Sequence, residues 1–167
     1  MRWTLVILGI DPGIATLGYG VIEADRGNFK ALDYGVITTP KTESVPVRLC
    51  MIEEGIRALI AKHKPDAVAV EELFFSKNKT TAIMVAEARG VALLTAVKEC
   101  GNLFEYTPNQ IKQAITGYGS AEKHQMQSMV RMLLKLKEIP RPDDAADALA
   151  VALCHGQTGR LAGGFRI

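Results

Sequence analysis

A chain of 167 residues that is 48% hydrophobic and 23% charged has the composition of a folded globular protein and the length of one domain. Its 20 basic and 18 acidic residues give a formal net charge of +2, which excludes a protein that coats nucleic acid through bulk positive charge. The three cysteines lack the spacing of a metal site or a disulfide framework, which indicates free thiols in a reducing, cytoplasmic location. No signal peptide and no uninterrupted run of about 18 apolar residues is found, so no membrane partner is predicted.

The first predicted element is a strand over residues 5–10 that ends at Asp11 and a Pro-Gly turn. Its residues are apolar on both faces, which is typical of a central strand covered by helices on each side. Two further strands follow, up to about residue 39, and the short turns between them predict antiparallel pairing. Thr16, Gly18 and Gly20 share one face of the second strand, where small side chains allow another element to approach closely.

An apolar stripe predicts a helix over residues 45–63, and a buried strand over residues 67–72 follows it. The order strand, helix, strand implies a parallel crossover, so the predicted sheet is mixed. The next helix, residues 77–99, is apolar around most of its circumference and is expected to bury one face on the sheet and another on a neighbour. A second subunit and the protein's own core are equal alternatives for that second face.

The C-terminal third is predicted to hold a strand over residues 103–106 and three helices. Thr107 is expected to cap the first helix and Ser120 the second, which ends near residue 137. The third helix is predicted over residues 143–155. We interpret the chain as one domain over residues 1–156, followed by a short flexible tail over residues 157–167.

Acidic residues end two predicted central strands and begin the last helix. Asp11 and Glu71 follow the strands, while Asp144 and Asp147 lie three residues apart and so share a helix face. Carboxylates that meet in a small space repel one another, and an all-oxygen ligand set suits Mg²⁺, with Mn²⁺ as a substitute. Two such ions, roughly 3.5–4 Å apart, would support phosphodiester hydrolysis. The alternative is a set of scattered acids in solvent, some of which favour the helix dipole.

Several blocks, spread in order over nearly the whole chain, resemble the RuvC family of Holliday-junction resolvases. They are residues 9–13, 18–20, 70–74 with Lys77 and Asn78, 88–92, 119–123 and 144–150. The resemblance implies a ribonuclease H-like α/β fold with a five-stranded mixed sheet flanked by helices. It also implies a metal-dependent crossover junction endodeoxyribonuclease. Such an enzyme acts as a homodimer, nicks two strands of a four-way DNA junction symmetrically and works with a branch-migration motor complex.

The same resemblance implies a set of metal-binding catalytic acids: Asp11, Glu71, Asp144 and Asp147. Glu72 competes with Glu71, and the alternation of side chains along a strand gives Glu72 the opposite face. Asp143 competes with Asp144, and the Asp-Ala-Ala-Asp spacing favours Asp144. A histidine stands at the position of Asp144 in some relatives, so the separate roles of Asp144 and Asp147 stay open.

The positions that this family uses against DNA match three residues of the chain, Phe74, Lys112 and Lys123, while Lys77 and Lys79 are weaker candidates for phosphate contacts. Phe74 is expected to stack on an unpaired base, and Phe75 is the alternative for this role. A purely structural interpretation is that Phe74 packs in the core. The lysines are expected to contact phosphates, whereas a solvated helix face would also explain them. Arg89 is a weaker candidate for a phosphate contact.

Three other functions compete with this interpretation. Actin-like ATPases share the Asp-x-Gly turn but need two such domains, which 167 residues do not supply. A relative of the same fold that acts on ribosomal RNA precursors would lack the Lys-Asn pair and the block at residues 119–123. A junction-binding module without catalysis would not need all four acids.

Overall fold

The computed structural model describes residues 4–73 and 79–159, which form a five-stranded mixed sheet with helices on both faces. The strands are β1 (Thr4–Asp11), β2 (Thr16–Asp25), β3 (Asn28–Thr38), β4 (Ala67–Glu71) and β5 (Leu103–Tyr106). The helices are α1 (Val45–His63), α2 (Lys79–Glu99), α3 (Pro108–Thr116), α4 (Lys123–Leu133) and α5 (Asp143–Thr158). The predicted α/β architecture is confirmed.

β1 is the central strand of the sheet, whose order is β3-β2-β1-β4-β5. It pairs antiparallel with β2 and parallel with β4, and β5 extends the parallel part beyond β4. The antiparallel meander and the crossover predicted from the sequence are therefore both present. Because β1 and β4 run in the same direction, their carboxyl ends meet at one edge of the sheet, which is the usual place for a site in an α/β protein.

The two faces of β1 serve two separate cores. On one face, every second side chain of β1 packs in a core against α1 and α2. These side chains are Val6, Leu8 and Ile10. The other face holds Ile7 and Gly9 and packs against α5; a Cβ on Gly9 would lie only 2.1 Å from the carbonyl oxygen of Ala148. Since the side-chain period of a strand is two, Asp11 also faces α5.

The glycines of β2 bring α5 unusually close to the sheet. A Cβ on Gly18 would lie 2.0 Å from the carbonyl oxygen of Asp144, and one on Gly20 would lie 2.8 Å from the backbone nitrogen of Leu149. The predicted close approach on this face of β2 is confirmed, and α5 is the approaching element. The backbone of α5 therefore rests almost directly on β1 and β2.

The ends of the helices follow their capping chemistry. Thr107 caps α3 as predicted: the Thr107 hydroxyl accepts a hydrogen bond from the Gln110 backbone N–H, and the Gln110 side chain accepts one from the Thr107 backbone N–H. The predicted cap of α4 at Ser120 is wrong, because Glu122 forms the capping box there. α4 also ends at Leu133, shortly before Lys135 takes a left-handed φ of 54°.

α2 has the length and mean hydropathy of a membrane span, although charged residues such as Glu87 and Arg89 interrupt its apolar run. Over the described residues it is the one helix long and apolar enough to cross a membrane by length and composition, with a mean hydropathy of 1.4. One face of α2 packs into the core of the domain, and the opposite face is exposed. Ala88, Ala92 and Ala96 are completely buried, and the Arg89 guanidinium forms an ion pair with Glu105 of β5.

Candidate active site

The four acids singled out in the sequence converge at the carboxyl edge of the sheet. Asp11 is the last residue of β1 and Glu71 the last of β4, while Asp144 and Asp147 lie in the first two turns of α5. Carboxylate oxygens of Asp11, Asp144 and Asp147 all lie within 4.8 Å of one another. Glu71 joins them through a side-chain hydrogen bond with Asp11. The central strands and α5 thus bring residues up to 136 positions apart into one cluster.

This cluster strongly disfavours full ionisation of Asp11. Burial is the main cause, and the nearby charges of Glu71, Asp147 and Asp144 add to it, so that the pKa of Asp11 rises to about 8. The protonated Asp11 donates its hydrogen bond to the Glu71 carboxylate. Burial also raises the pKa of Glu71 and that of Asp147. Without metal, the cluster therefore favours the neutral form of Asp11 at neutral pH.

Two lysines partly neutralise the acids. The Nζ atom of Lys123 lies 3.6 Å from a carboxylate oxygen of Asp147 and 3.2 Å from one of Asp143. Lys112 lies on α3, and its positive charge counteracts the rise in the pKa of Glu71. Both lysines line an open cleft of about 220 Å³ together with Glu71 and Asp147. They border the carboxylate cluster itself, which the sequence alone did not indicate.

The two competing acids are placed differently. Asp143 lies outside the cluster and contacts cations instead: Arg141 at 2.9 Å and Lys123 at 3.2 Å. Glu72 follows the end of β4; its backbone N–H bonds to Tyr106 of β5, and its charge acts on Arg89. The geometry therefore supports the choice of Asp144 over Asp143 and of Glu71 over Glu72.

The other predicted DNA-contacting residues have mixed outcomes. Phe74, Lys77 and the alternative Phe75 lie outside the described residues. The phosphate contact of Arg89 stays a prediction: its side chain is 17% exposed and pairs with Glu105, and it lines an open pocket together with Asp11 and Glu71. Sequence reasoning also missed Thr39 and Arg48, which hold the turn after Asp11 through contacts between segments distant in the chain.

The residues present fit a divalent metal ion. The cluster offers carboxylate oxygens only, which is the ligand set of Mg²⁺ or Mn²⁺ and not that of zinc or a soft metal. The acids are half-buried, and the proton on Asp11 relieves a repulsion that a cation would relieve better. Metal binding is therefore expected to release a proton from the site.

The raised pKa of Asp11 predicts that the metal-free protein loses stability as the pH rises. Between the ordinary pKa of 3.8 and the folded value of about 8, the folded state holds a proton that the unfolded chain has released. The free energy of unfolding therefore falls over this interval. We expect the melting temperature in EDTA to decrease from about pH 5 to about pH 8.5, and the Asp11→Asn variant to lose most of that decrease. A melting temperature that rises over this range in calorimetry would contradict the assignment.

A five-stranded mixed sheet with a carboxylate cluster at the carboxyl edge of its central strands places the protein in the ribonuclease H-like class of nucleases. Residues 7–155 match the family described as crossover junction endodeoxyribonuclease RuvC, and the chain belongs to this family. The resemblance noted in the sequence is confirmed.

Relatives and solved structures match the chain over nearly its full length. The crossover junction endodeoxyribonuclease RuvC of Alkaliphilus oremlandii is 53% identical over 163 residues, covering 98% of this chain and 99% of the relative. That of Petrotoga mobilis is 57% identical over 156 residues, covering 93% and 96%. The structure of Thermus thermophilus RuvC in complex with a Holliday junction substrate has a TM-score of 0.92 at 37% identity, covering 98% and 99%.

Proposed function

We propose that this protein is a metal-dependent endonuclease that resolves four-way DNA junctions by paired, symmetric nicks during recombination and repair. The observation that carries the proposal is the convergence of Asp11, Glu71, Asp144 and Asp147 on one edge of the sheet. Family membership gives the class of enzyme. The cluster gives its chemistry, since four acids in one place serve cation binding better than any structural role.

Mg²⁺ is the proposed cofactor, with two ions per site and Mn²⁺ as a substitute. Asp11, Glu71, Asp144 and Asp147 would hold the ions. Bound Mg²⁺ supplies activation of a water molecule and neutralisation of charge on the phosphodiester. With Mg²⁺ bound, Asp11 would be expected to be ionised, because a nearby cation favours the charged carboxylate. Asp11 and Glu71 would then both be available to hold the ions.

Lys112 and Lys123 are proposed to bind phosphates of the junction beside the cleavage site. Lys123 now neutralises Asp147, and a cation among the acids would take over that task. The lysine would then be free to pair with a DNA phosphate. Phe74 and Lys77 are proposed as further DNA contacts, because they follow Glu71 by only three and six residues. A three-residue step reaches at most roughly 11 Å, so Phe74 is tethered near the site.

We infer a homodimer that forms through the exposed face of α2. Large apolar side chains on this face are at least half exposed: Ile83 at 62%, Leu94 at 57% and Val97 at 50%. Gly90 also lies on this stripe, and no atom of the described residues lies within 4 Å of the position that its Cβ would take. A glycine between apolar residues at positions 83, 90, 94 and 97 suits the close crossing of two helices. A two-fold dimer would present two sites, as two symmetric nicks require.

The remaining expectations follow from this proposal. A cytoplasmic enzyme on junction DNA would receive its substrate from a branch-migration motor complex. The division into a nuclease domain over residues 1–156 and a tail over residues 157–167 is also retained, although α5 continues to Thr158. Residues 160–167 of that tail lie outside the described residues.

Leu94→Lys is expected to break the dimer. A buried lysine at the centre of an apolar interface would carry an unpaired charge on each subunit. The variant should elute as a monomer of half the mass in size-exclusion chromatography with light scattering, and paired nicking should fall at least about tenfold. Leu32→Lys is the matched control, since Leu32 is 40% exposed on β3. If Leu94→Lys stayed dimeric, the interface would lie elsewhere.

The proposed function is tested by cleavage of a synthetic four-way junction beside a linear duplex of the same sequence. We expect paired nicks on the junction alone, with Mg²⁺ or Mn²⁺ and not with EDTA or Ca²⁺. Tight binding without nicks under all metals would favour the non-catalytic module. Cleavage of structured RNA in place of the junction would favour the RNA-processing alternative.

A further inference from the structure

Thr39 forms hydrogen bonds with the connection between β1 and β2, which follows Asp11. The residue stands directly after β3, is 5% exposed, and makes two hydrogen bonds to residues 14 and 15. Its hydroxyl donates to the carbonyl oxygen of Ile14 at 2.5 Å, and its backbone N–H donates to that of Ala15 at 3.0 Å. Residues 12–15 form the whole connection between β1 and β2. Thr39 therefore holds the second half of that connection.

Arg48 in turn holds Thr39. Its Nε atom donates a hydrogen bond of 2.8 Å to the Thr39 hydroxyl oxygen, which leaves the hydroxyl hydrogen for Ile14. Arg48 lies in the first turn of α1 and is 7% exposed. Within residues 4–73 and 79–159, no carboxylate lies at ion-pair distance from it. Burying a guanidinium without a counter-ion is costly, and the charge-assisted bond to Thr39 offsets part of that cost.

The hydrogen bonds of Arg48 and Thr39 are linked to the acids through the end of β1 and the start of β2. Asp11 pairs with Gly18, which is the last pair between β1 and β2 before the connection begins. Gly18 also lies directly against the backbone of Asp144. A shift of the connection would therefore move Asp11 directly and would change the surface on which Asp144 rests.

We propose that Arg48 and Thr39 are positioning residues for the cleavage reaction: they fix the connection after Asp11 and so hold Asp11 at its place in the carboxylate cluster. Neither residue touches the cluster. Their task is to keep the reactive geometry within the narrow tolerance that catalysis requires, where a displacement of about 1 Å costs roughly 10²-fold in rate. This inference rests on the proposed function of Asp11.

The test compares Thr39→Val, which keeps the shape but removes the hydroxyl, with Thr39→Ser, which keeps the hydroxyl. In single-turnover cleavage of the junction we expect Thr39→Val to lose roughly ten- to a hundredfold in rate. The Kd for the junction in Ca²⁺ should stay within about twofold, since no DNA contact is removed. Thr39→Ser should cut at nearly the normal rate. Arg48→Met should slow cleavage in the same way, and the double variant should be no slower than Thr39→Val.

Two controls separate this role from a general loss of stability. Thr95→Val removes another buried hydroxyl, one that bonds to Val91 within α2, and should cut normally. Melting temperatures show whether each variant is folded at the assay temperature. The inference is overturned if folded Thr39→Val cuts at the normal rate, or if Thr39→Ser is impaired as much as Thr39→Val. Normal cleavage by Asp11→Asn would overturn the proposed function instead.

Discussion

Asp11→Asn is expected to lower the rate of junction cleavage by roughly 10³-fold or more, the largest effect of any single substitution proposed for this protein. Asparagine keeps the shape of the side chain but carries no negative charge for a cation. Asp11 is the acid that interacts with all three others, so its loss affects the whole cluster. Junction binding should be retained or strengthened, because one repulsive charge near the phosphates is gone.

The same variant provides its own test of folding. Because the pKa of Asp11 is raised to about 8, ionisation of this residue opposes folding at alkaline pH, and asparagine removes that opposition. The metal-free variant should therefore melt at or above the temperature of the wild type at about pH 8. Inactivity could not then be attributed to unfolding.

Asp33→Asn is the matched control for Asp11→Asn. Asp33 lies on β3, two strands from β1, where it pairs with Lys62 and His63, each at 2.9 Å. This variant should cut at the wild-type rate. The metal assignment would fail if Asp11→Asn cut junctions as fast as Asp33→Asn in Mg²⁺.

Gly18→Ala is expected to damage both stability and cleavage. The new methyl group would lie 2.0 Å from the carbonyl oxygen of Asp144 and 2.6 Å from its carbonyl carbon. Both atoms belong to the backbone, so no side chain can rotate away, and α5 has to move outward. We expect a loss of about 1–3 kcal/mol in the free energy of unfolding. The displacement of Asp144 and Asp147 should also lower the cleavage rate by roughly 10²-fold.

Gly35→Ala is the comparison for Gly18→Ala. A Cβ on Gly35 would meet the end of the Tyr19 side chain, with 2.9 Å to its hydroxyl oxygen, and this half-buried ring can shift. Urea denaturation should show a smaller loss for Gly35→Ala, and its cleavage rate should be unchanged. Equal denaturation midpoints for wild type and Gly18→Ala, with normal cleavage, would show that α5 is not seated as described.

Local chemistry in the sequence was sufficient for most of the fold. The apolar stripe of α1 and the Thr107 capping box gave the bounds that the structure has, because both signals depend on neighbours within one turn. The start of α4 was misplaced because Ser120 and Glu122 are both acceptable caps, and only the bond from Glu122 to Gln125 decides between them. The end of α5 was placed three residues too early, at His155, since Thr158 still bonds within the helix.

The candidate site was predictable in its acids and not in their surroundings. Asp11 and Glu71 were placed at the ends of apolar strands, and the family motif with the alternation of side chains favoured Glu71 over Glu72. The three-residue spacing of Asp144 and Asp147 placed both on one helix face. The contact between Lys123 and Asp147 joins two helices, and no local pattern encodes it. The burial of Arg89 and the bonds of Thr39 likewise depend on packing between segments distant in the sequence.

The direct contacts of Gly9 and Gly18 with the backbone of α5 have a consequence for which substitutions the fold tolerates. At Gly9 and Gly18 the spacing between strand and helix is set by backbone atoms, which are the same in every protein. The opposite core, against α1 and α2, is built from interchangeable aliphatic side chains. Substitutions can accumulate there without altering the distance between β1 and α5. Changes of aliphatic side chains in that core therefore lie on the other side of the sheet from the contacts between Gly9, Gly18 and α5.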